Sequence, residues 1–557
     1  MENMICKFGT LILFTLFLNC AYAQKVLKEA FFDPKGKAKI TNLREVQIDE
    51  SKNEMKLYFL TKSTTKKMKA EILTFDLDFN LKNSENLEED YEIIKEKYKL
   101  SFSLNFCPET KEPLLSVEAN KMSGQVVFKK GFIERYYNWN TGYCDDRFNV
   151  EEKVKPKGDD GEKIKLVNYW TNNTIENYYR SMSFNAYSVR QAQRIENLYS
   201  TLYGKGKHVM SGTQGDVVFL GLVTSGMRDA ANWGKNYIFQ KFSVSSLSKT
   251  NEVSLTFDVQ AAPVFNKILS SGNIAYIFQR SDNQTEYLEV DFDGNTKRRF
   301  KTNATVDAVW CVDDMVELED GSIIVAGVVS KTKIKKGIGG FVYAPHQIST
   351  YLPTHAANPQ GFQLMKIGTN QIDWVSFIKS EDFKSTFTVV AKDKKGKPYT
   401  GGQLVIGDVF QANSGDILIT GQKKNNKGEM GEMVCFYFDS KGKLLSNFAT
   451  IMRDKNKYNK YSPSNHSLLN SPTTKDVYWI IYEVADLHKM SGRTLYYPRI
   501  SRIKQGGKSA EPFVELGGRK AFLDDKYPVN YVNDKTYIFI GSNRNGKELW
   551  FNKIEFE

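Results

Sequence analysis

The chain has 557 residues, of which 41% are hydrophobic, and 77 basic residues against 65 acidic ones give it a formal net charge of +12. A chain of this length is too long for one ordinary hydrophobic core unless the core is divided among repeated units. The positive charge favours contact with acidic surfaces, including lipid headgroups and acidic glycans, and the alternative is a lysine-rich solvated surface.

Residues 1–23 have the pattern of a secretory signal peptide. An apolar stretch, Phe8–Leu18, is followed by Ala21-Tyr22-Ala23, which fits the small-x-small cleavage rule and makes Gln24 the mature N-terminus. The stretch is shorter than the roughly 20 residues that span a bilayer. The alternative is a lipoprotein acylated at Cys20, although the residue before it is not small. We therefore predict an exported protein, and its scattered basic residues do not favour nucleic acid as a partner.

Four cysteines remain after the predicted cleavage, and an oxidising compartment would permit disulfides. Cys107 and Cys144 are the nearest neighbours, and both lie beside turn-like residues, so we predict a bridge between them. Cys311 and Cys435 adjoin apolar strands and are predicted to be buried thiols. The sequence itself leaves all three pairings open.

A degenerate hairpin pattern recurs along the chain. In each instance a turn rich in Asn, Asp, Ser or Gly leads into a short aliphatic or aromatic run, which predicts a strand. The eight instances are 53–60, 124–128, 215–221, 272–278, 321–325, 415–419, 475–481 and 534–540. A second strand closing in a turn follows most of them, as in Cys435–Gly442 and Tyr287–Gly294.

This repetition predicts an all-β protein, a β-propeller of seven or eight four-stranded blades with small helical and loop insertions. The spacing of about 60 residues suits one blade, and eight blades are slightly favoured by the number of instances. The last residues, 548–557, resemble a strand without an outer partner, and 26–32 resemble a spare strand. Their pairing would close the ring and hide a sheet edge.

Two long gaps predict insertions at about 150–209 and 331–362 within a propeller spanning residues 24–557. The first includes an amphipathic helical pattern from Val189 to Gly204, and a shorter helical pattern runs from Leu87 to Tyr98. The second is rich in Gly, Pro and aromatic residues, which is typical of a functional loop. We predict that it contacts a partner through its aromatic and imidazole side chains, namely Phe341, Tyr343, His346, Tyr351 and His355.

Catalytic and metal-binding signatures are absent from the sequence. The segment Asp76–Asn80 begins like a calcium loop but lacks the glycine of its sixth position. His346 and His355 have no neighbouring carboxylate or cysteine. The adjacent pairs Asp313–Asp314 and Asp145–Asp146 could serve glycoside chemistry, but successive residues of a strand point to opposite faces. We expect no cofactor and no metal.

The Ala-Tyr-Ala-Gln cleavage region, the abundance of Lys and Asn and the Phe-Asp-x-x-Gly-Lys turn at 438–443 resemble those of exported proteins of Bacteroidota that fold as divergent β-propellers. Such bacteria possess a type IX secretion system, whose cargo carries a C-terminal sorting domain. The chain instead ends in what resembles a blade strand, so the resemblance favours the periplasm. It implies a plug or accessory subunit of the outer-membrane translocon as one candidate identity.

The missing catalytic constellation and the aromatic insertions favour a non-catalytic binding protein that docks on a periplasmic or outer-membrane protein. The alternatives are a polysaccharide lyase or glycosidase acting on acidic glycans, and a glycan-binding module. Extracellular and lipoprotein locations are the alternatives to the periplasm.

Overall fold

The structure is a computed structural model in which nearly all regular elements are strands. It describes residues 24–34, 36, 38–64, 67–93, 100–106, 113–119, 126–128, 136–138, 143–145, 150–154, 163–166, 208–211, 217–222, 235–242, 249–259, 261–280, 282, 284–302, 309–318, 320–330, 359–391, 396–425, 427–453, 459–487, 494–518, 520–524 and 526–557. The predicted signal peptide, the helical pattern at 189–204 and most of the 331–362 loop lie outside these residues.

The first strands of the chain build one large sheet and two small hairpins. They are β1 (Gln24–Phe32), β2 (Leu43–Asp49), β3 (Glu54–Ser63), β4 (Lys67–Phe75), β5 (Leu81–Ile93), β6 (Leu100–Phe106), β7 (Pro113–Ala119), β8 (Val126–Phe128), β9 (Tyr136–Asn138), β10 (Tyr143–Asp145), β11 (Val150–Val154) and β12 (Lys163–Leu166). A seven-stranded sheet has the order β11-β12-β8-β5-β4-β3-β2, while β6 pairs with β7 and β9 with β10.

Four sheets of four strands follow, each in sequential antiparallel order. They are built from β13 (His208–Ser211), β14 (Val217–Leu222), β15 (Asn236–Phe242), β16 (Lys249–Thr256); β17 (Ala261–Ile268), β18 (Ile274–Arg280), β19 (Thr285–Val290), β20 (Thr296–Thr302); β21 (Val309–Glu317), β22 (Ile323–Ser330), β23 (Pro359–Ile367), β24 (Ile372–Lys379); and β25 (Gln403–Gln411), β26 (Ile417–Lys424), β27 (Met430–Phe438), β28 (Leu444–Thr450). A short helix, α1 (Ser380–Ser385), follows β24.

The last sheet contains both ends of the described chain. Its strands are β29 (Asn465–Asn470), β30 (Val477–Leu487), β31 (Thr494–Ile503), β32 (Val514–Glu515), β33 (Ala521–Leu523), β34 (Val529–Tyr531), β35 (Thr536–Asn543) and β36 (Leu549–Phe556). The order is β1-β36-β35-β33-β31-β30-β29, with β32 on β31 and β34 on β35. The sheet therefore contains two four-stranded runs, β29-β30-β31-β32 and β34-β35-β36-β1. The predicted pairing of the two terminal strands is confirmed, with Gln24 opposite Phe556 and Phe32 opposite Leu549.

Apolar side chains pack between neighbouring sheets and hold them face to face. Val434 and Phe436 of β27 share one core with Phe362 and Leu364 of β23. Leu57 and Phe75 of the first sheet share another with strands of the last sheet. The sheets that follow β13 are linked in chain order by such cores. Four-stranded antiparallel sheets packed in this way, with a terminal strand closing the last sheet, form a β-propeller.

The predicted strands are confirmed and one predicted helix is wrong. All eight hairpin instances lie on strands, namely β3, β8, β14, β18, β22, β26, β30 and β35. Leu87 and Tyr91, predicted to be helical, belong to β5, where Leu87 pairs with Ala70. Part of the first predicted insertion also forms strands, since β11 and β12 extend the first sheet through β8.

The two ends of the sheets differ in their connections. At one end, the turn end, short turns such as 269–273, 291–295 and 439–443 join strands. At the opposite end, the loop end, the longer connections 331–358, 380–402 and 451–464 leave the sheets. Neighbouring sheets are aligned the same way, because the Ser376 hydroxyl donates to the Gly442 carbonyl at 2.6 Å and the Asn413 amide donates to the Asn470 side chain at 2.9 Å, both at the turn end.

Candidate binding site at the loop end

The first strands of successive sheets line the centre of the molecule. Strand β21 contacts β17 and β25, and β25 contacts β29. Each of β2, β17, β21 and β25 is interrupted by a bulge, at Arg44, Val264, Asp313 and Gly407 respectively. A bulge inserts one residue without a partner and redirects the side chains around it. Four of the first strands therefore share one irregularity, whereas β29 pairs with β30 without a bulge.

The bulge in β21 places two carboxyl groups on one cavity. Val312 pairs with Gly327 and Asp314 with Ala326, so Asp313 is the extra residue. As a result Asp313 and Asp314 both line a cavity of about 230 Å³ between β21 and β25. The expectation that these neighbours point to opposite faces is therefore wrong. The rest of the lining comes from the loop-end half of β25 and β26, namely Gln403, Leu404, Val405, Ile406 and Lys424.

The two carboxyl groups have different surroundings. Asp314 Oδ1 lies 3.8 Å from the Lys267 ammonium of β17. Burial raises the pKa of Asp313 to about 7, with a further upward contribution from the charge of Asp314 and an opposing hydrogen bond from the Val328 backbone. Asp313 Oδ2 is buried without a hydrogen-bond partner in the structure. One carboxyl group can therefore hold a proton near neutral pH while its neighbour is paired with a cation.

A third carboxyl group continues this row on β25. Asp408 Oδ2 accepts a hydrogen bond from the Leu468 amide of β29 at 2.8 Å. Burial raises the pKa of Asp408 to about 6, and the charge of Asp314 contributes. His466 on β29 is buried, and burial lowers its pKa to about 3. Its Nδ1 accepts a hydrogen bond from the Trp479 indole at 3.1 Å, which links the neighbouring strands β29 and β30 of the last sheet.

The structure does not describe the predicted partner-contact residues. Phe341, Tyr343, His346, Tyr351 and His355 lie outside the described residues, and so does Cys107. The connection that contains these five partner-contact residues begins after the last residue of β22, at the loop end. The cavity between β21 and β25 also lies at the loop end. The predicted disulfide stays a prediction, with Cys144 on β10 opposite Tyr137. Cys435 is a buried free thiol, as predicted, and burial raises its pKa.

The calcium-like segment Asp76–Asn80 forms a turn. Asp76 Oδ1 accepts hydrogen bonds from the backbone of Asp78 at 2.9 Å and of Asn80 at 2.8 Å. Asp439 and Asp291 accept the same pair of bonds in their own turns.

Within the described residues, no group of three or more metal-ligating side chains could hold an ion. No helix in this part of the chain is long and apolar enough to cross a membrane.

The comparisons with known proteins match the chain to solved structures of low sequence identity and low TM-score. No protein-family model and no curated protein matches the chain. Among solved structures, the β-propeller domain of the Trilobed protease from Pyrococcus furiosus is 10% identical, with a TM-score of 0.22 over 85% of this chain and 94% of that one. A mutant of the NanB sialidase from Streptococcus pneumoniae is 9% identical, with a TM-score of 0.25 over 95% and 70%.

A protein of unknown function from Bacteroides caccae is 11% identical, with a TM-score of 0.17 over 46% of this chain and 84% of that chain. Such low identities and TM-scores indicate neither an activity nor a ligand.

Proposed function

We propose that this protein is a non-catalytic, exported β-propeller that docks a periplasmic or outer-membrane protein through its loop end. The observation that supports the proposal is the one-sidedness of the connections. Most described connections at the turn end are short hydrogen-bonded turns, with 504–513 the longest, whereas 331–358, 380–402 and 451–464 all leave from the loop end. Long connections on a rigid scaffold are where binding residues concentrate. An outer-membrane barrel of the type IX translocon is the partner class that the sequence resemblance favours.

Site-specific photo-crosslinking in the native organism tests this proposal. A photoreactive residue at Lys427, exposed at the loop end, should form a crosslink to one protein at near-stoichiometric yield. The same residue at Lys441, exposed at the turn end, is the matched control and should give none. Equal yields at the two positions, or capture only at Lys441, would contradict docking through the loop end.

The loop 331–362 gives a second test of docking. Interfaces concentrate binding energy in a few aromatic side chains, so Tyr343→Ala or Tyr351→Ala should weaken partner binding by about 1–3 kcal/mol. The melting temperature should stay nearly unchanged. A large loss of thermal stability together with intact binding would show that these tyrosines are structural.

A glycan-active enzyme is the second candidate function, and the cavity between β21 and β25 favours it. An acid that holds its proton near pH 7 beside a second carboxylate is the pairing that glycoside cleavage uses. If the chain is a glycosidase, a panel of acidic glycans should include one that it cleaves, and Asp313→Asn should abolish the cleavage. Asp439→Asn, in a turn at the opposite end, is the control and should retain it. Absence of turnover on the whole panel would remove this candidate.

A further inference from the structure

At the loop end of the β25–β28 sheet, the described lysines outnumber the two glutamates that pair with them, and Lys424 also lines the cavity that contains Asp313 and Asp314. Lys460 Nζ lies 2.6 Å from Glu429 Oε1, and Lys423 Nζ lies 3.6 Å from Glu432 Oε2, so each acid already has a cation. The structure describes no ion pair for three lysines at this end, namely Lys397, Lys424 and Lys427. Lys397 and Lys427 are exposed and Lys424 is partly exposed.

Backbone hydrogen bonds fix the positions of these lysines. The Asn425 side-chain oxygen accepts bonds from the Lys427 and Glu429 amides, both at 2.9 Å, which closes the turn between β26 and β27. The Lys423 ammonium donates to the carbonyls of Lys397 at 3.0 Å and Pro398 at 2.9 Å, which anchors the segment before β25. The three cations therefore sit on rigid backbone, and less conformational entropy is lost when they bind a ligand.

An exposed aromatic ring lies on the segment that is hydrogen-bonded beside the β26–β27 turn. The Met430 amide donates to the Lys460 carbonyl at 2.7 Å, which holds the segment containing Tyr461 against the β26–β27 turn. Tyr461 is 56% exposed, and Lys460 Nζ lies 5.5 Å from its ring centroid. An exposed tyrosine presents an apolar ring face with a polar tip, which suits stacking on a sugar ring.

We propose that Lys397, Lys424, Lys427 and Tyr461 form a binding site for an anionic polysaccharide. The lysines would bind its carboxylate or sulfate groups, and the tyrosine would stack on a sugar ring. A membrane surface fits less well, because interfacial binding needs a broad apolar face, and the large exposed apolar side chains described on the loop-end connections of this sheet are Val389 and Tyr461. Glycan binding of this kind is independent of the proposed protein docking, since it needs only the purified chain.

Titration calorimetry with heparin and with polygalacturonate tests the site. The triple variant Lys397→Gln, Lys424→Gln, Lys427→Gln should bind about tenfold more weakly or worse at an ionic strength of about 0.1 M. The matched control is Lys441→Gln, Lys443→Gln, Lys475→Gln, which removes the same charge from exposed positions at the turn end. It should change affinity by about twofold or less, since exposed charges farther apart than a Debye length of ~10 Å are largely screened.

Two further measurements separate glycan recognition from other sources of binding. Tyr461→Ala should weaken glycan binding several-fold without altering its salt dependence, and neutral dextran should not bind. Equal losses of glycan affinity in the two triple variants would show that binding depends on net charge alone. That result would overturn the site. Tighter binding to anionic lipid vesicles, unaffected by Tyr461→Ala, would assign the surface to a membrane. Loss of glycan binding in the double variant Lys397→Gln, Lys424→Gln, with crosslinking through position 427 intact, would support the site and show that docking is separate.

Discussion

One extra residue in a strand decides the chemistry of Asp313. In a regular strand its side chain would face away from that of Asp314, whereas the bulge leaves both on the same cavity. The sequence shows the two adjacent aspartates but not the pairing register, because the bulge is defined by which residues of β22 lie opposite. The acid pair was therefore visible in the sequence and its shared cavity was not.

The pKa of Asp313 leads to a prediction about stability and pH. Its folded-state pKa is about 7 against an ordinary value of 3.8, so the folded protein keeps a proton that the unfolded chain releases. Stability of the wild type should therefore fall as pH rises from about 4 to 7 on account of this group. Asp313→Asn removes this loss of stability. The free energy of unfolding of the variant, relative to that of the wild type, should be about 1–2 kcal/mol higher at pH 8 than at pH 4.

Chemical denaturation of the two proteins at pH 4.5 and pH 8 measures this difference. His466, whose pKa is lowered to about 3, acts in the opposite direction, but it is present in both proteins and cancels. A difference in the free energy of unfolding that does not vary with pH would contradict the raised pKa of Asp313.

The repeated turn is the smallest element that the sequence predicted correctly. In the 439–443 turn, Asp439 accepts two backbone amides and Gly442 adopts a φ of +78°, a region that glycine enters without steric cost. In the 76–80 turn the same place is taken by Phe79, with a φ of +66° and its ring stacked on Phe551 at 5.2 Å. Packing therefore tolerates a residue that local preference disfavours.

Two glycine substitutions separate backbone strain from crowding. A methyl group on Gly442 would lie 2.6 Å from the Trp374 ring, whereas on Gly415, with a φ of +83°, the nearest atom is 3.8 Å away. We expect Gly415→Ala to cost about 1 kcal/mol, from the positive φ alone. Gly442→Ala should cost about 1–3 kcal/mol more, because the tryptophan must move. Equal losses in urea unfolding would show that Trp374 yields freely.

The terminal strand β1 has an inner and an outer face that substitutions can distinguish. Phe32 packs against the first sheet, with its ring 5.0 Å from that of Phe75, while Phe31 is 46% exposed. Phe32→Ala should lower the free energy of unfolding by about 2–3 kcal/mol, and Phe31→Ala by less than about 1 kcal/mol. A larger loss for Phe31→Ala than for Phe32→Ala would show that β1 pairs with β36 in a register that turns Phe31 towards the first sheet.

Elements that depend on long-range pairing were harder to predict than turns. Leu87 and Tyr91 have the i, i+4 spacing of a helix, yet Leu87 pairs with Ala70 and Tyr91 with Phe128. The apolar spacing of one strand carries little information when most of its described side chains are exposed, as in β5. The partner of the strand decides its structure, and the partner is distant in the sequence.

At the scale of the molecule, the strand runs favour seven blades over eight. The count of eight instances treats 124–128 as a separate blade. In the structure, β8 extends the first sheet between β5 and β12. The remaining seven instances each provide the second strand of a four-stranded run. We expect an experimental structure to show seven blades, with residues of the 100–166 region added to the outer edge of the first. An eighth blade around β8 would contradict this assignment.

A circular permutant tests closure by the terminal strands. Because Gln24 lies opposite Phe556 in an antiparallel pair, a two-residue Asn-Gly turn could join the ends as a hairpin. A chain joined in this way and opened between Arg453 and Asn459 should fold and melt within a few degrees of the wild type, since loop openings are tolerated. Deletion of 24–32 is the contrasting variant and should melt far lower. A permutant that fails to fold would argue against β1 as the outer strand of the last sheet.

The pairing of β1 with β36 also imposes an order in time. Strand β1 is synthesised long before β36, so it has no partner until β36 has been made. Contacts so distant in sequence are slow to form, because the whole intervening chain must be closed as a loop. Until the two strands pair, the edge of β36 and the apolar side chain of Phe32 stay uncovered, which is a state prone to aggregation. The final folding step of this protein is therefore the one in which a holdase chaperone would matter most.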